Sequence, residues 1–202
     1  MQHDRTLRQI DAVPTFIAAM WPARTSAWLR LAVLALLGSL ALTLSAKLQV
    51  PFYPVPMTMQ SLVVLLIGLA FGWRLGTATV LLYLAEGLVG LPVFAGTPEK
   101  GIGLAYMVGP TGGYLVGFIF GAAFLGWLAE RGWDRSPWRT ALALSLGHAL
   151  LFAPGVAWLA FLIGWPKAVA FGLTPFLWGS LVKTALGAAL VPAAWAMFER
   201  RG

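Results

Sequence analysis

Residues 174–183, TPFLWGSLVK, open the last long apolar run of the chain, which continues to about Phe198. Thr174 followed by Pro175 is a helix-start signal, because a capping hydroxyl precedes a proline at the first helical position. Lys183 then falls about two turns inside the predicted helix. A lysine at the centre of a membrane helix costs roughly 2.5–3.5 kcal/mol, so such residues usually face a cavity or a partner.

The helix face around Lys183 carries small and polar residues. Ser180 lies three residues before Lys183, and Gly179 and Gly187 lie four residues to either side, so all share roughly one face. With a single positive charge, this face predicts a pocket wall for an anionic or strongly polar ligand. The alternative is a lysine that snorkels to the nearer membrane surface, and this helix alone leaves both interpretations open.

The composition of the chain predicts an all-α integral membrane protein. Of its 202 residues, 59% are hydrophobic and 10% are charged, and the mean hydropathy is +0.81. Soluble domains are usually about 25% charged. The net charge of +7 would fit a nucleic-acid partner, but the basic residues fall at predicted helix ends, which argues against one. The sequence has no cysteine, which excludes disulfide and thiolate chemistry.

Apolar runs divide the chain into predicted membrane spans. They cover about 28–46, 60–71, 77–89, 114–129, 138–163 and 174–198, and the second and third are short. A tight turn at 72–76 separates these two, and Pro154 is expected to kink or break the fifth. The runs predict one six-helix transmembrane domain over residues 29–198. Residues 1–28 are predicted to be a cytoplasmic or interfacial N-terminal segment, with the stretch from Phe16 to Trp21 on the membrane surface.

Basic residues predict the orientation of the bundle. Ten arginines lie on the side of the termini, and three lysines (Lys47, Lys100 and Lys167) lie on the opposite side. The positive-inside rule therefore puts both termini in the cytoplasm. The proline loop at 47–57 and the long connection at 90–113, predicted to be a folded cap, then gather on the outer face. One outward-opening site is predicted from Gln60, Glu86, Tyr114, Ser180 and Lys183.

Several of these polar residues also fit a structural role. Gln60 can simply meet interfacial water, and Glu86 fits a ligand contact, a lysine partner or an interfacial residue equally well. A lone histidine within a membrane span, such as His148, is more often a hydrogen-bonded packing residue than a proton relay. A metal site is not predicted, because the sequence has only one further histidine, His3.

Small residues recur at four-residue spacing in the first span. They predict either docking of a second protein or ordinary packing inside the bundle. These residues are Ala35, Ser39 and Thr43.

Four motifs in order resemble the BioY family. They are PVPMTMQ at 54–60, GLPVFAG at 90–96, GPTGGY at 109–114, and Pro175-Phe176-Leu177 with Gly179 and Lys183. BioY proteins are substrate-binding S components of energy-coupling-factor (ECF) biotin transporters, and the similarity runs from about residue 30 to 198. The resemblance implies a six-helix S-component fold in a bacterial cytoplasmic membrane, with high-affinity biotin capture near the outer face. It implies as partners a transmembrane coupling protein and two ATPase subunits, which some family members lack. It implies no cofactor.

The resemblance also implies roles for individual residues. Lys183 would meet the carboxylate of biotin, and Gln60, Tyr114 and the 109–113 loop would line the pocket. The loop contributes Thr111 and Gly112, and the side chains that would pack on the biotin rings and chain are Phe52, Phe94 and Trp158. The small residues of the first helix would meet the coupling protein.

The chain departs from the family at Trp178-Gly179-Ser180, where Pro-Gly-Asp is common. Ser180 accepts a hydrogen bond but supplies no charge. A ligand carboxylate or Glu86 is then expected as the counter-ion of Lys183. The departure also raises a biotin precursor or analogue as an alternative ligand.

Two other functions fit less well. A membrane-embedded enzyme would use His148, Glu86 or Lys183 as an acid or base, but the sequence has no nucleophile and base at a recognisable spacing and no metal-ligand cluster. A self-sufficient small transporter would need coupling-ion residues within its spans, and the sequence has no clear inverted repeat. The sequence also has no Walker A motif, so ATP hydrolysis would come from another chain.

Overall fold

A computed structural model describes residues 15–20, 27–50 and 53–200, and these ranges are almost entirely helical. The helices are α1 (Phe16–Met20), α2 (Ala27–Lys47), α3 (Gln60–Leu88), α4 (Gly103–Met107), α5 (Gly112–Ala129), α6 (Pro137–Ile163), α7 (Trp165–Gly172) and α8 (Thr174–Glu199). A 3₁₀ turn at Trp133–Arg135 precedes α6. Two short antiparallel strands, β1 (Gln49–Val50) and β2 (Met57–Thr58), follow α2.

Five stretches are long and apolar enough to cross a membrane, which confirms the all-α membrane architecture. They are Trp28–Lys47, Gln60–Leu88, Gly112–Ala129, Pro137–Ile163 and Trp165–Glu199. Four of them contain the predicted first, fourth, fifth and sixth runs. The predicted second and third runs both fall within α3, so the count of spans differs from the predicted six.

Helix α3 reverses direction at Gly72. This glycine has φ 80° and ψ 173°, a backbone conformation that is essentially restricted to glycine. Gln60 Nε2 donates to Tyr83 Oη at 2.6 Å, although a straight helix would separate these residues by about 35 Å. A Cβ on Gly76 would lie only 3.1 Å from the Cα of Gly68. The halves 60–71 and 73–88 therefore run side by side in opposite directions.

Glycines bring the central helices close together. A Cβ on Gly68 would lie 2.5 Å from the carbonyl oxygen of Ala122, and one on Gly117 would lie 2.3 Å from that of Leu151. Small residues at such positions allow helix backbones to approach closely inside a membrane. The result is a bundle in which α5 packs against both α3 and α6. The buried side chains on the terminal side of this core include Leu65, Leu69, Leu125 and Leu144.

Side chains at the terminal end of the bundle tie α8 to the turn before α6. Trp195 Nε1 donates to Asp134 Oδ2 at 2.6 Å, and the Arg135 guanidinium lies 3.5 Å from the Trp195 ring centroid. Arg135 also pairs with Glu199 at 2.8 Å. Phe16 of α1 packs edge-on against Trp195 at 5.1 Å. The segment around Phe16 therefore packs on the bundle end, while Trp21 lies outside the described residues.

One local prediction is wrong, and one of two alternatives predicted at Pro154 is excluded. Thr174 does not cap α8, because its hydroxyl donates back to the carbonyl oxygen of Val169 at 3.1 Å, and the residue before the helix is Leu173. Pro175 does lie in the first turn, as predicted. Of the kink or break predicted at Pro154, the break is excluded, since α6 continues through Pro154 to Ile163.

Candidate functional site

A small cavity of about 40 Å³ lies where β2, the start of α3, α5, α6 and α8 meet. Its polar lining comes from Thr58, Gln60, Ser61, Thr111, Tyr114 and Lys183. Its apolar lining comes from Val55, Pro56, Ala95, Phe118, Leu151, Phe152 and Phe176. Convergent polar groups among apolar rings are typical of small-molecule sites. We refer to this space as the Lys183 cavity.

Lys183 is the charged group of the cavity and is only 7% exposed. Its ammonium donates to the backbone oxygen of Thr58 and to Ser61 Oγ, the latter at 2.9 Å. Both acceptors are neutral, and none of the ion pairs among the described residues involves Lys183. A buried charge is costly unless it is paired. The arrangement therefore favours an anionic group that enters the cavity beside Ser61.

Gln60 is held in place by a chain of hydrogen bonds. It is 4% exposed, and its Nε2 donates to Tyr83 Oη at 2.6 Å. Tyr83 Oη in turn donates to the carbonyl oxygen of Val93 at 3.0 Å. The Gln60 amide is thus oriented by the second half of α3 and by the segment that follows it. A fixed amide suits the recognition of a polar ligand group.

Residues 89–102, here called the roof segment, cover the cavity with Ala95. Tyr106 Oη donates to the carbonyl oxygen of Ala95 at 2.9 Å. The Phe94 ring is stacked on Tyr106 at 4.8 Å and lies edge-on to Tyr83 at 5.4 Å. The Lys47 ammonium donates to the carbonyl oxygens of Pro92, Phe94 and Thr97 at 2.7 to 3.2 Å. The roof segment is therefore fixed mainly by side chains.

Tyr114 forms one wall of the cavity, at the start of α5. Its hydroxyl donates to the carbonyl oxygen of Gly172 at 2.7 Å, which ties α5 to the end of α7. The Tyr114 ring lies 6.2 Å from Phe152 and 6.5 Å from Phe176, centroid to centroid. These three rings form an apolar wall suited to a flat or aliphatic ligand body.

The structure brings four of the sequence-predicted residues together. Lys183, Gln60, Tyr114 and Thr111 all line the Lys183 cavity. Gly112 is next to Thr111 but does not line the cavity, and a Cβ on Gly112 would lie 1.9 Å from the carbonyl oxygen of Met107. The close packing of Gly112 therefore positions the loop rather than the ligand.

Three predicted residues have partners away from the cavity. Glu86 accepts a hydrogen bond from the Ser39 hydroxyl at the contact between α2 and α3, so it is not the counter-ion of Lys183. Phe94 packs within the roof segment, although its neighbour Ala95 lines the cavity. Trp158 Nε1 donates to the carbonyl oxygen of Gly109 at 2.9 Å, which holds the 109–113 loop. Phe52 lies outside the described residues.

Ser180 lies in a different groove, which opens between α6 and α8 and measures about 620 Å³. It shares this groove with His148 and Thr184 rather than with Lys183. The predicted convergence of Ser180 and Lys183 on one site is therefore wrong. His148 is buried and its Nδ1 lies 2.9 Å from the carbonyl oxygen of Leu144, which fits the packing interpretation.

The small-residue face of α2 turns into the bundle. Ser39 is 1% exposed and bonds to Glu86, so its predicted docking role is wrong. Ala35 and Thr43 are half-buried on either side of it. The outward face of α2 carries the leucines at 36, 37, 40 and 44.

Sequence reasoning missed Ser61 and Thr58, the two partners of Lys183, as well as Phe152 and Phe176. Thr58 lies in β2 and accepts through its backbone oxygen, a contact that no side-chain pattern indicates. Ser61 is a polar residue in the first turn of α3. This signal was available next to Gln60. Within the described ranges, no three His, Cys, Asp or Glu side chains cluster as a metal site requires.

Comparison with known proteins gives consistent results. The BioY family model matches residues 17–200. The chain is 39% identical over 148 residues to the biotin transporter BioY of Thermotoga maritima, which covers 73% of this chain and 85% of that protein. It is 32% identical over 166 residues to the biotin transporter BioY2 of Lactococcus lactis subsp. cremoris, which covers 78% of this chain and 87% of that protein.

A solved structure has the same fold. It is a crystal structure of the S-component for biotin from an ECF-type ABC transporter, with a TM-score of 0.71 over 84% of this chain and 93% of that chain. The two sequences are 23% identical, so this likeness concerns the fold.

Proposed function

The chain belongs to the BioY family, and from this membership we propose that it captures biotin at the outer face of the membrane as the S component of an ECF transporter. The observation that carries the proposal is the Lys183 ammonium, which is buried in a ring-lined cavity with only neutral partners. A transport protein of this kind performs no chemistry on its ligand, so the protein is not an enzyme.

The chemistry of biotin fits the lining of the cavity. Biotin has a carboxylate, a ureido group that both donates and accepts hydrogen bonds, and an apolar thioether ring. We assign the carboxylate to Lys183 and the ureido group to neutral polar residues such as Gln60 and Thr111. The apolar ring and chain are assigned to Phe152, Phe176 and the Tyr114 ring.

Entry of biotin requires the cavity to widen. Ligand pockets usually measure about 300–1,000 Å³, whereas the Lys183 cavity measures about 40 Å³. The roof segment is the element best suited to move. Its backbone is held by side-chain hydrogen bonds from the Lys47 ammonium and two tyrosine hydroxyls, and such bonds can break and re-form. We infer that biotin enters beneath this segment and that its hydrogen bonds re-form over the ligand.

Substitution of Ser61 and of Ser180 tests whether biotin binds in the Lys183 cavity or in the neighbouring groove. Ser61→Ala removes a hydrogen bond to the Lys183 ammonium, and bonds to charged groups contribute about 1.5–3 kcal/mol, so we expect biotin affinity to fall roughly tenfold or more. Ser180→Ala is the matched control and should change affinity less than about threefold, because Ser180 lines the other groove. Calorimetric titration of both variants measures the difference. The reverse ranking would return Ser180 to the site and remove Ser61 from it.

We propose that the chain crosses the membrane six times, with 60–71 and 73–88 as two crossings. The reversal at Gly72 supports this count. Both termini are then cytoplasmic, in agreement with the arginines on that side and with a bacterial cytoplasmic membrane. Residues 29–198 form the single transmembrane domain. The proposed partners are two ATPase subunits and a coupling protein, which would meet the outward face of α2 beside the half-buried Ala35 and Thr43.

Uptake of radiolabelled biotin by a biotin-auxotrophic bacterium tests the transport function. The host lacks its own biotin transporter and expresses the chain with or without a coupling protein and ATPases. We expect efficient uptake only with the ATPases present and active, because the sequence contains no Walker A motif. Equal uptake without them, abolished when the ion gradient collapses, would instead support a self-sufficient transporter.

A further inference from the structure

A second groove lies on the outside of the bundle, at the end where Gly72 reverses α3. It measures about 540 Å³ and shares no lining residue with the Lys183 cavity. The lining is almost wholly apolar and rich in aromatic rings. The residues are Trp73, Phe120, Ala123, Phe124, Trp127 and Leu150. Large rings on this face are exposed in a part of the protein that would lie against lipid.

Two arginines flank this groove. The Arg74 guanidinium carbon lies 5.2 Å from the Trp73 ring centroid, and that of Arg131 lies 3.7 Å from the Trp127 ring centroid. Arg131 Nη1 also donates to the carbonyl oxygen of Trp127 at 2.8 Å. Each arginine thus stacks on a ring that lines the groove. Such contacts hold a guanidinium in place and leave other N–H groups available to an anion.

Both arginines lie at the same end of the groove. Trp73 directly follows the reversal at Gly72, and Trp127 is in the last turn of α5. Phe120 lies about 10 Å further along α5, towards the membrane interior. The groove therefore runs from a pair of cations at the membrane surface into the apolar layer. Tryptophans at the surface end are typical of the membrane interface.

We propose that this groove binds one anionic phospholipid of the same leaflet. Its phosphate lies between Arg74 and Arg131, and one acyl chain lies along the groove wall from Trp127 to Phe120. Basic pockets between helices on the cytoplasmic side favour anionic headgroups. A soluble phosphate compound does not fit, because the wall below the arginines offers it only apolar rings.

One acidic residue lies nearby and limits the charge of the site. Glu130 Oε1 accepts the backbone N–H of Trp73 at 3.2 Å, so the carboxylate is directed at the turn. With both arginines and Glu130 charged, the surface end keeps a net positive charge. An anionic headgroup is favoured over a zwitterionic one, since the ammonium of the latter would be repelled by the guanidinium groups.

Native mass spectrometry of the protein in equimolar phosphatidylglycerol and phosphatidylethanolamine tests the proposal. The test protein carries Arg74→Gln with Arg131→Gln. The control carries Arg139→Gln with Arg200→Gln, which changes the net charge equally at exposed positions outside the groove. We expect the wild type to retain phosphatidylglycerol preferentially. The groove variant should bind it about 30-fold more weakly, and the control less than about threefold more weakly.

Other outcomes would overturn the lipid site. Equal losses in the two double variants would mean that only the total charge attracts anionic lipid. A wild type without preference for phosphatidylglycerol would exclude headgroup recognition. Biotin binding should be unchanged in both variants, because the groove and the Lys183 cavity share no residues, and it serves as the measure of correct folding.

Discussion

Replacement of Lys183 by methionine should weaken biotin binding at least about 100-fold while leaving the protein folded. Removing one partner of a buried ion pair costs about 3–5 kcal/mol, and each 1.4 kcal/mol is a factor of ten in affinity. Methionine keeps most of the length and apolar volume of the lysine stem. Isothermal titration calorimetry of the detergent-purified proteins measures the change in dissociation constant.

The folded state of the Lys183→Met protein has to be established separately. The variant loses two hydrogen bonds, to Thr58 and Ser61, but also removes a charge that is buried without an ionic partner. We therefore expect its melting temperature to stay near that of the wild type. An unchanged dissociation constant in a folded variant would exclude Lys183 from the site. A variant that does not fold is replaced by Lys183→Gln, which can still donate to both oxygens.

A large effect on folding is expected from Gly126→Ala in α5. A Cβ there would lie 2.3 Å from the backbone nitrogen of Trp73 and 2.4 Å from the carbonyl carbon of Gly72, at the reversal of α3. Backbone atoms cannot rotate away, so α5 and α3 would have to separate. Overpacking typically costs 1–3 kcal/mol, and here we expect at least the upper end of about 3 kcal/mol, against a gain of about 1 kcal/mol in helix propensity.

Gly121→Ala is the matched control in the same helix. Its Cβ would lie 3.0 Å from the Cδ2 atom of Leu65, a side-chain end that can shift, and 3.7 Å from the carbonyl oxygen of Gly147, which is an ordinary van der Waals contact. Thermal unfolding and size-exclusion profiles in detergent should show a folded Gly121→Ala protein and a largely aggregated Gly126→Ala protein. Similar melting temperatures for the two variants would contradict the close approach of α5 and α3 at Gly72.

Much of the fold follows from the sequence because membrane helices leave strong signals. Apolar runs give α2, α5, α6 and α8 to within about two residues at each end. The turn at 72–76 was also predictable, since glycines flank an arginine in an otherwise apolar stretch. The short strands and α7 were not predicted, because they lie in connections whose backbone is set by tertiary contacts.

The candidate site was predicted only in part, for a geometric reason. Ser180 and Lys183 are three residues apart and differ by about 60° around the helix axis, which is enough to place them in adjacent grooves when the cavity is narrow. Helix periodicity alone cannot resolve that difference. The contact between Ser39 and Glu86 depends on how α2 and α3 are aligned, which a single sequence does not encode locally. Lys183, Gln60 and Tyr114 were found because a polar group in an apolar run is costly and so tends to have a function.

The central claim is that the Lys183 ammonium binds the carboxylate of biotin. The most direct test removes the charge of Lys183 and the charge of the ligand, separately and together. Wild type and Lys183→Met are each titrated calorimetrically with biotin and with biotin amide, which lacks the negative charge. If Lys183 binds the carboxylate, the wild type should prefer biotin by about 100-fold or more, and the variant should lose nearly all of that preference. The same preference in both proteins would contradict the assignment of the carboxylate to Lys183. No binding of biotin by the folded wild type would contradict the proposed function itself.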